Sequence, residues 1–335
     1  MSRPAAPKAH TAARSAEGSP VTDDSIPVID ISDLDGTTAR DAIDHACAEW
    51  GFFQVTGHGM PRSVIDEMFA MARAFFSQPA ADKRRLLRDA DNPWGFFDKE
   101  LTKNRQDWKE IYDYGPDVGD GRGPRWPDGP LRPRFEQAVR DAYDSSTALA
   151  LRLLAVIAAN LGVAPDVLTR GFERGAHTSF LRLNFYPRYS VDDDKPVAPR
   201  PLGVGEHTDS GALTVLMQDE PPGLEVLRHG RWSLVRPVAG ALTINIGDIV
   251  QVWSNDRYKA ALHRVVVADP RHERYSIPLF LNPSYETTYE PLPATVTPDR
   301  PAAYRRIQWR EFRGLRAAGD YADIGEEVQI HHYRA

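Results

Sequence analysis

Cysteine is nearly absent from this chain, because Cys47 is the single one among 335 residues. One thiol cannot form an internal disulfide or a thiolate metal cage, so a reducing compartment, the cytoplasm, is expected. The net charge of -6 lacks the basic excess typical of nucleic-acid-binding proteins, and no apolar run approaches the roughly 20 residues of a membrane span. Neither a nucleic acid nor a membrane is therefore expected as a partner, and the chain is expected to be a monomer or a weak homo-oligomer.

The remaining composition is that of a globular protein, with 41% hydrophobic and 26% charged residues. Residues 1–24 mix Ala, Pro, Ser and charge without an apolar core, which predicts a disordered tail; a transit-like presequence is the alternative. The alternating stretch IPVIDIS, residues 26–32, predicts the first strand. Apolar residues at helical spacing predict three helices, at residues 39–50, 62–77 and 133–161.

Other parts of the chain show no helical period. Residues 91–130 are rich in Gly, Pro, Trp and Asp and predict irregular chain with one or two short strands. From about residue 178, short β-rich runs such as SFLRLNFY, ALTVLMQ and ALTINIGDIVQVW are separated by Gly, Pro, Asp and Asn, which predicts an antiparallel barrel or jelly roll. The stretch VDDDKPVAPRPLGVG, residues 191–205, predicts a loop.

These patterns predict a fold that is mostly β with flanking α-helices around a double-stranded β-helix (jelly-roll) core. A helical and mixed N-terminal region, residues 25–177, is expected to pack on the core at residues 178–290. Residues 291–335 are expected to close the core as a C-terminal segment, so that all three parts form one integrated unit.

The stretch GEHTDSGALTVL places His207 and Asp209 two residues apart, just before an alternating run. Extended chain would point both side chains to one face, where they could share a proton, a hydrogen bond or a metal. Alone, the pair is more typical of a loop hydrogen bond than of a metal site. His263 opens a later strand of the same core, and two imidazoles with one carboxylate leave open positions that suit non-haem Fe(II) and oxygen chemistry.

A second motif, Arg274-Tyr275-Ser276, follows in the same region of the core. Arg274 and Ser276 share one face of a strand, and a guanidinium beside a hydroxyl is suited to a carboxylate. A structural ion pair is the alternative for Arg274. A metal beside a carboxylate receptor indicates a small-acid co-substrate that chelates the metal at one end and is anchored at the other.

In this order, the motifs resemble those of the iron(II)/2-oxoglutarate-dependent dioxygenase superfamily, in the branch of isopenicillin N synthase and the plant flavonoid and hormone oxygenases. IPVIDIS and WGFFQVTGHGMP resemble its N-terminal region, and HTDSGALTVL its first two metal ligands. NIGDIVQVWSNDRYKAALHRV resembles the approach to the third ligand, and RYSIPLFLN the anchor strand. The resemblance covers about residues 26–335.

The resemblance implies Fe(II), 2-oxoglutarate as co-substrate and O2, with succinate and CO2 released as a small organic metabolite of secondary metabolism is hydroxylated or desaturated. It implies these roles: His207, Asp209 and His263 as metal ligands, Arg274 and Ser276 as the anchor of the distal carboxylate, and Asn184 and Tyr186 of LRLNFYP as further co-substrate contacts. Plain packing is the alternative for a tyrosine that precedes proline.

Two other functions stay open at this point. An oxidase like isopenicillin N synthase would keep the metal ligands and the RxS motif but use no 2-oxoglutarate, and it lacks the LRLNFYP pattern. A non-catalytic metal- or ligand-binding module would normally have lost a ligand or the anchor, and this chain retains both.

Strand parity extends the predicted site to the primary substrate. If Asn184 faces the metal, Arg182 points into the same cavity, and Phe280 and Asn282 share the face of Arg274 unless Pro278 introduces a bulge. We therefore expect a metabolite with a carboxylate for Arg182 and a flat or apolar part against Phe280. A structural ion pair is the alternative for Arg182.

The remaining histidines and aromatic residues are more typical of structural roles. His58 lies in a Gly-flanked turn and the pair His331-His332 lies near the C-terminus, so turn or surface positions are expected. Core or loop packing, with some members lining the substrate pocket, is expected for Trp94, Phe96, Phe97 and Trp108.

Overall fold

Two β-sheets lie face to face and enclose a cavity between them. A computed structural model describes residues 25–319 and 325–335, except for residues 35, 90, 118–120, 174, 189–201, 268 and 270. The tail that the sequence predicts, residues 1–24, lies outside the described residues.

The larger sheet is antiparallel apart from the parallel pair at one edge. Its eight strands are, in spatial order, β1 (Val28–Asp30), β2 (Phe52–Thr56), β12 (Leu242–Ile246), β9 (Leu213–Gln218), β14 (Arg274–Leu281), β7 (Phe180–Tyr186), β6 (Glu110–Tyr114) and β3 (Gly95–Phe97). The N-terminal region contributes β1 and β2 at one edge and β6 and β3 at the other, so it extends the sheet of the core.

The smaller sheet is antiparallel throughout. Its four strands are β11 (Arg231–Leu234), β10 (Leu224–Arg228), β13 (His263–Val266) and β8 (Leu202–His207). Two short pairs complete the described strands: β4 (Leu101–Thr102) with β5 (Arg105–Gln106), and β15 (Thr288–Tyr289) with β16 (Ile307–Gln308). Two facing sheets flanked by helices confirm the predicted jelly-roll core.

Helices pack outside the sheets. They are α1 (Thr37–Glu49), α2 (Arg62–Phe76), α3 (Ala80–Arg84), α4 (Arg132–Asn160), α5 (Pro165–Thr169), α6 (Asp248–Trp253) and α7 (Trp309–Gly319). The three helices that apolar spacing predicts correspond to α1, α2 and α4. The last of these ends just before Gly162, whose φ of 77° is left-handed backbone that glycine adopts readily at a helix end.

Helix α4 is the longest, and it packs against α1, α2 and the back of the larger sheet. By length and composition alone the segment Gly129–Asn160 could also cross a membrane. Its apolar side chains, among them Phe135, Leu153 and Ile157, are buried in the main core, and a core helix of a globular protein passes the same test.

Two local predictions were wrong. Residues 91–130 contain four short strands instead of one or two, because the buried charges Lys109 and Asp113 interrupt the apolar alternation around β6. The predicted loop at residues 191–205 ends in strand β8, which starts at Leu202; residues 191–201 lie outside the described residues.

The glycines of β8 explain why that strand escapes recognition. Glycine weakens a strand pattern, but in β8 the backbone passes close to neighbouring side chains at two glycine positions. A Cβ on Gly203 would lie 2.7 Å from the Tyr186 ring, and one on Gly205 would lie 2.8 Å from the Thr102 methyl group. Close packing beside the site therefore requires glycine at both positions.

Candidate active site

Strand pairing brings the three predicted metal ligands together. His207 ends β8 and His263 opens β13, and these two residues lie opposite each other in the antiparallel pair. Asp209 lies two residues beyond the end of β8, in the turn that leads to β9. The Nε2 atom of each histidine is 3.6 Å from Asp209 Oδ1, so the three potential ligand atoms face one point.

The backbone fixes the orientation of both imidazoles. Nδ1 of His207 lies 2.8 Å from the carbonyl oxygen of Gly205, and Nδ1 of His263 lies 3.0 Å from that of Ala261. A carbonyl only accepts, so each Nδ1–H donates and each Nε2 presents a lone pair to the cavity. Desolvation, followed by the neighbouring His263, lowers the pKa of His207 to about 3, which keeps its imidazole neutral.

The carboxylate of Asp209 is held from its other side. Its Oδ2 accepts from the Thr214 hydroxyl and, at 2.8 Å, from the Asn245 amide, which leaves Oδ1 directed at the histidines. Burial acts to raise the pKa of Asp209, but the two histidines and these hydrogen bonds outweigh it and lower that pKa. Asp209 is therefore an anion at neutral pH.

Arg274 and Ser276 lie deeper in the same cavity, on β14. The guanidinium of Arg274 is 5% exposed; its Nη2 donates to Gln218 Oε1 at 3.2 Å, and it lies over the Tyr186 ring at 5.0 Å. Its Nε and Nη1 have no hydrogen-bond partner among the described residues. A buried cation with two free donors is the receptor that a carboxylate of an absent ligand would satisfy.

Asn184 and Tyr186, on the adjacent strand β7, lie beside Arg274 and Ser276. The Asn184 amide and the Tyr186 hydroxyl each lie 3.3 Å from the Ser276 hydroxyl. Asn184 pairs directly with Ser276, and Tyr186 with Arg274, in the β7–β14 register. The buried Oδ1 of Asn184 also has no hydrogen-bond partner among the described residues. Arg274 and Asn184 together therefore retain both donors and an acceptor for a ligand.

Strand parity predicted that alternate side chains of β7 and β14 face one cavity, and the residues that line the cavity match this prediction. Pro278 keeps the regular register between β9 and β7 without a bulge. Consequently Arg182, Phe280 and Asn282 all line the cavity together with the residues above. The Asn282 side chain packs against Gly211, where an added Cβ would lie 2.2 Å from its Oδ1, so it supports the turn that carries Asp209.

Arg182 differs from the expectation of a free guanidinium. Its Nε and Nη2 donate to Asp113 at 2.7 and 2.8 Å, and its Nη1 donates to Glu100 at 2.8 Å. Both carboxylates are themselves buried. The guanidinium is therefore neutralised within the protein, which is the alternative that the sequence left open.

The pair Asp113 and Glu100 belongs to a larger ion-pair network, which we call the charge network. Among the described residues it comprises three cations and three anions, all buried or nearly so: Arg88, Lys109, Arg182, Glu100, Asp107 and Asp113. Every member contacts at least one opposite charge. Equal numbers of opposite charges explain how so many ionised groups lie beside the cavity.

Two family models match the chain. The 2OG-Fe(II) oxygenase superfamily model matches residues 177–283, and that of the non-haem dioxygenase in morphine synthesis N-terminal region matches residues 26–131. The Arabidopsis thaliana protein DMR6-LIKE OXYGENASE 2 is 35% identical over 305 residues, which cover 86% of this chain and 82% of that protein. The chain belongs to the 2OG-Fe(II) oxygenase superfamily.

Solved structures of similar proteins extend this comparison to bound groups. The crystal structure of JOX2 in complex with 2OG, Fe and JA is 27% identical, with a TM-score of 0.78, and the match covers 93% of this chain and 89% of that one. A Neurospora crassa protein solved with alpha-KG and thymine is 26% identical, with a TM-score of 0.80 and coverage of 90% and 98%. These findings confirm the predicted plant-type branch, the non-haem Fe(II)/2-oxoglutarate dioxygenase activity, and Fe(II), 2-oxoglutarate and O2 as its requirements.

The donor set of this oxygenase fits the iron that its family implies. His207, Asp209 and His263 offer two imidazole nitrogens and one carboxylate oxygen, all within 4.8 Å of one another, the combination that suits non-haem Fe(II). A second cluster, Glu326, His331 and His332, is exposed at the surface, as expected for that histidine pair. His58 is buried and has the expected turn role, because its Nδ1 accepts from the backbone N–H of Met60 and its Nε2 lies 3.1 Å from the carbonyl oxygen of Gly240.

Some residues of the oxygenase site escaped sequence reasoning. Asn245 and Thr214 are polar residues at buried positions of two largely apolar strands, and this was the available signal. Arg313 and Arg316 reach the cavity from α7. Arginines at positions 310, 313 and 316 recur every three residues and so share a helix face.

Proposed function

We propose that this oxygenase holds Fe(II) with His207, Asp209 and His263 and anchors the distal carboxylate of 2-oxoglutarate with Arg274 and Ser276. When bound, this combination supplies the oxidant derived from O2, with release of succinate and CO2. The reaction then hydroxylates or desaturates a small organic metabolite in secondary metabolism. The two similar structures were solved in complex with JA and with thymine, which supports a substrate of that size.

The observation that carries the proposal is the unsatisfied guanidinium of Arg274 beside a preformed three-ligand cluster. Burying a cation without an anionic partner is unfavourable, and Nε and Nη1 of Arg274 lack partners among the described residues. A ligand carboxylate would remove that penalty. The substrate of an oxidase could supply that carboxylate as well, but two similar structures were solved with 2OG or alpha-KG, which favours the co-substrate.

The protein's own contribution is orientation and exclusion of water. The two Nδ1–H groups hold the imidazoles in place through backbone carbonyls, and Asn245 and Thr214 hold the carboxylate of Asp209. Apolar side chains from both sheets line the cavity around these groups: Phe52, Val204, Leu216, Leu224 and Val265. A dry wall of this kind protects a reactive site from side reactions.

Anaerobic titration tests the proposal without knowledge of the substrate. Fe(II) and then 2-oxoglutarate are added to the purified chain while the visible absorption of an iron-bound 2-oxo acid is followed. We expect one 2-oxoglutarate per iron, and succinate after O2 is admitted. Iron binding without binding of 2-oxoglutarate would contradict the anchor. Iron-dependent O2 uptake without succinate would support the oxidase alternative.

A cytoplasmic location and a monomeric or weakly associating state belong to the same proposal. The single, buried Cys47 is compatible with a reducing compartment. Fractionation of the native host and light scattering of the purified chain test these two expectations separately.

A further inference from the structure

Arg313 lies where the active-site cavity meets a second cavity. The second cavity is lined by residues that include Trp94, Tyr285 and Arg310, and it shares Phe180 and Arg313 with the active-site cavity. Arg313 projects from α7, in the C-terminal segment, and is half-buried. It therefore stands on the border between the iron ligands and the second cavity.

Arg313 differs from the other cations that line the active-site cavity. Lys109 and Arg182 are paired within the charge network, and Arg274 is assigned to 2-oxoglutarate. Arg316 donates to the carbonyls of Thr208 and Val328 and to the side chain of Gln329. Among the described residues, Arg313 has no ion pair or hydrogen bond, and its recorded contact is with the Phe180 ring at 5.9 Å.

The acids of the lining do not supply a partner for Arg313. Glu100 is held by three cations of the charge network, and Asp209 faces the two histidines. Glu327 accepts from the backbone N–H of Lys103 at 2.6 Å. In the second cavity, the acid of the described lining, Asp113, is already bound to Arg88 and Arg182. A ligand carboxylate at Arg313 would therefore not compete with these acids for the guanidinium.

A flat apolar wall leads inward from Arg313. The rings of Phe180 and Phe280 lie 4.8 Å apart with an interplanar angle of 30°, and Trp94 follows at 6.1 Å from Phe180. Phe280 is directly opposite Phe180 in the β7–β14 register. A planar or apolar body that packs along these rings would place its other end toward the metal ligands.

We propose that Arg313 binds the carboxylate of the primary substrate, whose flat apolar body lies along Phe180 and Phe280. The substrate class is then a small, flat carboxylic acid. This inference rests on the proposed function for the chemistry, and it moves the substrate acid from Arg182, which is neutralised, to Arg313, which is free among the described residues. Arg313 is a specificity-determining residue in this account.

Matched acid and amide probes test the inference by binding. Cinnamate, 2-naphthylacetate and 4-phenylbutyrate are titrated calorimetrically into the anaerobic Fe(II)–2-oxoglutarate enzyme, each beside its primary amide. We expect the wild type to prefer at least one acid over its amide by about 10- to 100-fold, the range of a charge-assisted hydrogen bond. Arg313→Gln should abolish that preference, and Arg313→Lys should retain part of it.

Charge reversal sharpens the test, and a neighbouring arginine controls it. Arg313→Glu should prefer cinnamylamine to cinnamate. Arg310→Gln removes an arginine one turn away that is exposed and paired with Glu286, and it should keep the wild-type preference. Thermal unfolding of each variant checks that it is folded.

Two kinds of failure are distinguishable. Equal affinity for acids and amides in the wild type, no binding of any acid, or an unchanged preference in Arg313→Gln would overturn the inference while 2-oxoglutarate binding stays intact. Failure of the wild type to bind 2-oxoglutarate in the same titration would instead contradict the proposed function.

Discussion

Arg182 and Arg274 lie on neighbouring strands and face one cavity, but their surroundings are opposite. Arg182 makes three hydrogen bonds to the carboxylates of Asp113 and Glu100. Arg274 forms no ion pair in direct contact with an acid among the described residues, and two of its nitrogens make no hydrogen bond there. The first arginine belongs to a closed charge network, and the second belongs to a site that is complete only with a ligand.

A buried arginine that is paired within the protein stabilises the fold, whereas one that is left unpaired can bind a ligand. Removing one partner of a buried pair leaves an uncompensated charge, which costs roughly 3–5 kcal/mol. The charge network should therefore respond to mutation through the stability of the fold. The unsatisfied groups around the metal ligands and Arg274 should respond through ligand binding and turnover.

The largest expected effect is on the ligand side, at Asp209. Asp209→Ala removes the one anionic metal ligand, so Fe(II) should bind more weakly and product formation should collapse. The loss should exceed the roughly 100-fold that removal of a supporting residue costs. Iron titration and succinate assay measure it, and turnover near the wild-type rate would refute the ligand assignment.

Arg274→Gln should be the next largest change. It removes the cation opposite a ligand carboxylate, a loss of roughly 3–5 kcal/mol, or about two to nearly four orders of magnitude in 2-oxoglutarate affinity. Iron affinity should stay nearly unchanged, because Arg274 does not contact the three metal ligands. An unaltered requirement for 2-oxoglutarate would show that the anchor lies elsewhere.

On the structural side, Asp113→Asn should destabilise the fold. The change leaves Arg88 and Arg182 short of a buried partner, so the free energy of unfolding should fall by roughly 3–5 kcal/mol. Asp66→Asn, which breaks the exposed pair with Arg62, is the control and should cost less than about 1 kcal/mol. Equal denaturant midpoints for the two variants would argue against a structural charge network.

Asn245→Ala tests the support of the metal ligand. Its amide holds Oδ2 of Asp209 at 2.8 Å, and loss of such a supporting residue typically costs 10- to 100-fold in metal affinity. Thr243→Val, on the same strand, removes a hydroxyl that bonds to Gln218 instead and should leave iron affinity unchanged. The same iron titration distinguishes the two variants.

The smallest expected effect is a pH dependence of stability. Burial acts to raise the pKa of Glu100, but Arg182, Lys109 and Arg88 outweigh it and hold that pKa well below its usual range. A depressed folded pKa stabilises the fold above the unfolded pKa, about 4.3, and this contribution is lost as pH falls through the folded value. The free energy of unfolding, measured at several pH values from 7 to 3, should therefore fall more steeply for the wild type than for Glu100→Gln.

Sequence patterns predicted the parts of the molecule that depend on local order. Apolar spacing predicted α1, α2 and α4, and strand parity predicted that Arg182, Phe280 and Asn282 line the cavity with the co-substrate residues. The ligand motifs were read through their resemblance to a family. The structure brings those residues together, and their individual roles stay proposals until the variants are measured.

What the sequence did not reveal depends on partners that are distant along the chain. Arg182 meets Asp113 and Glu100 at separations of 69 and 82 positions, so its neutralisation could not be predicted from its own strand. Strand β8 was missed because its glycines are required by close contacts with Tyr186 and Thr102, which lie on other strands. The role of Arg313 depends on the docking of α7, which no local pattern specifies.

The most direct test compares the two arginines in one experiment. The free energy of unfolding is measured for the wild type, Arg182→Met and Arg274→Met, anaerobically with Fe(II), with and without 2-oxoglutarate at about 100 times its wild-type Kd. At that concentration a bound ligand stabilises the fold by about 2.7 kcal/mol. We expect Arg182→Met to lose stability but keep this increment, and Arg274→Met to keep its ligand-free stability but lose the increment. The reverse pattern, or the same pattern for both variants, would contradict the distinction between the charge network and the ligand site.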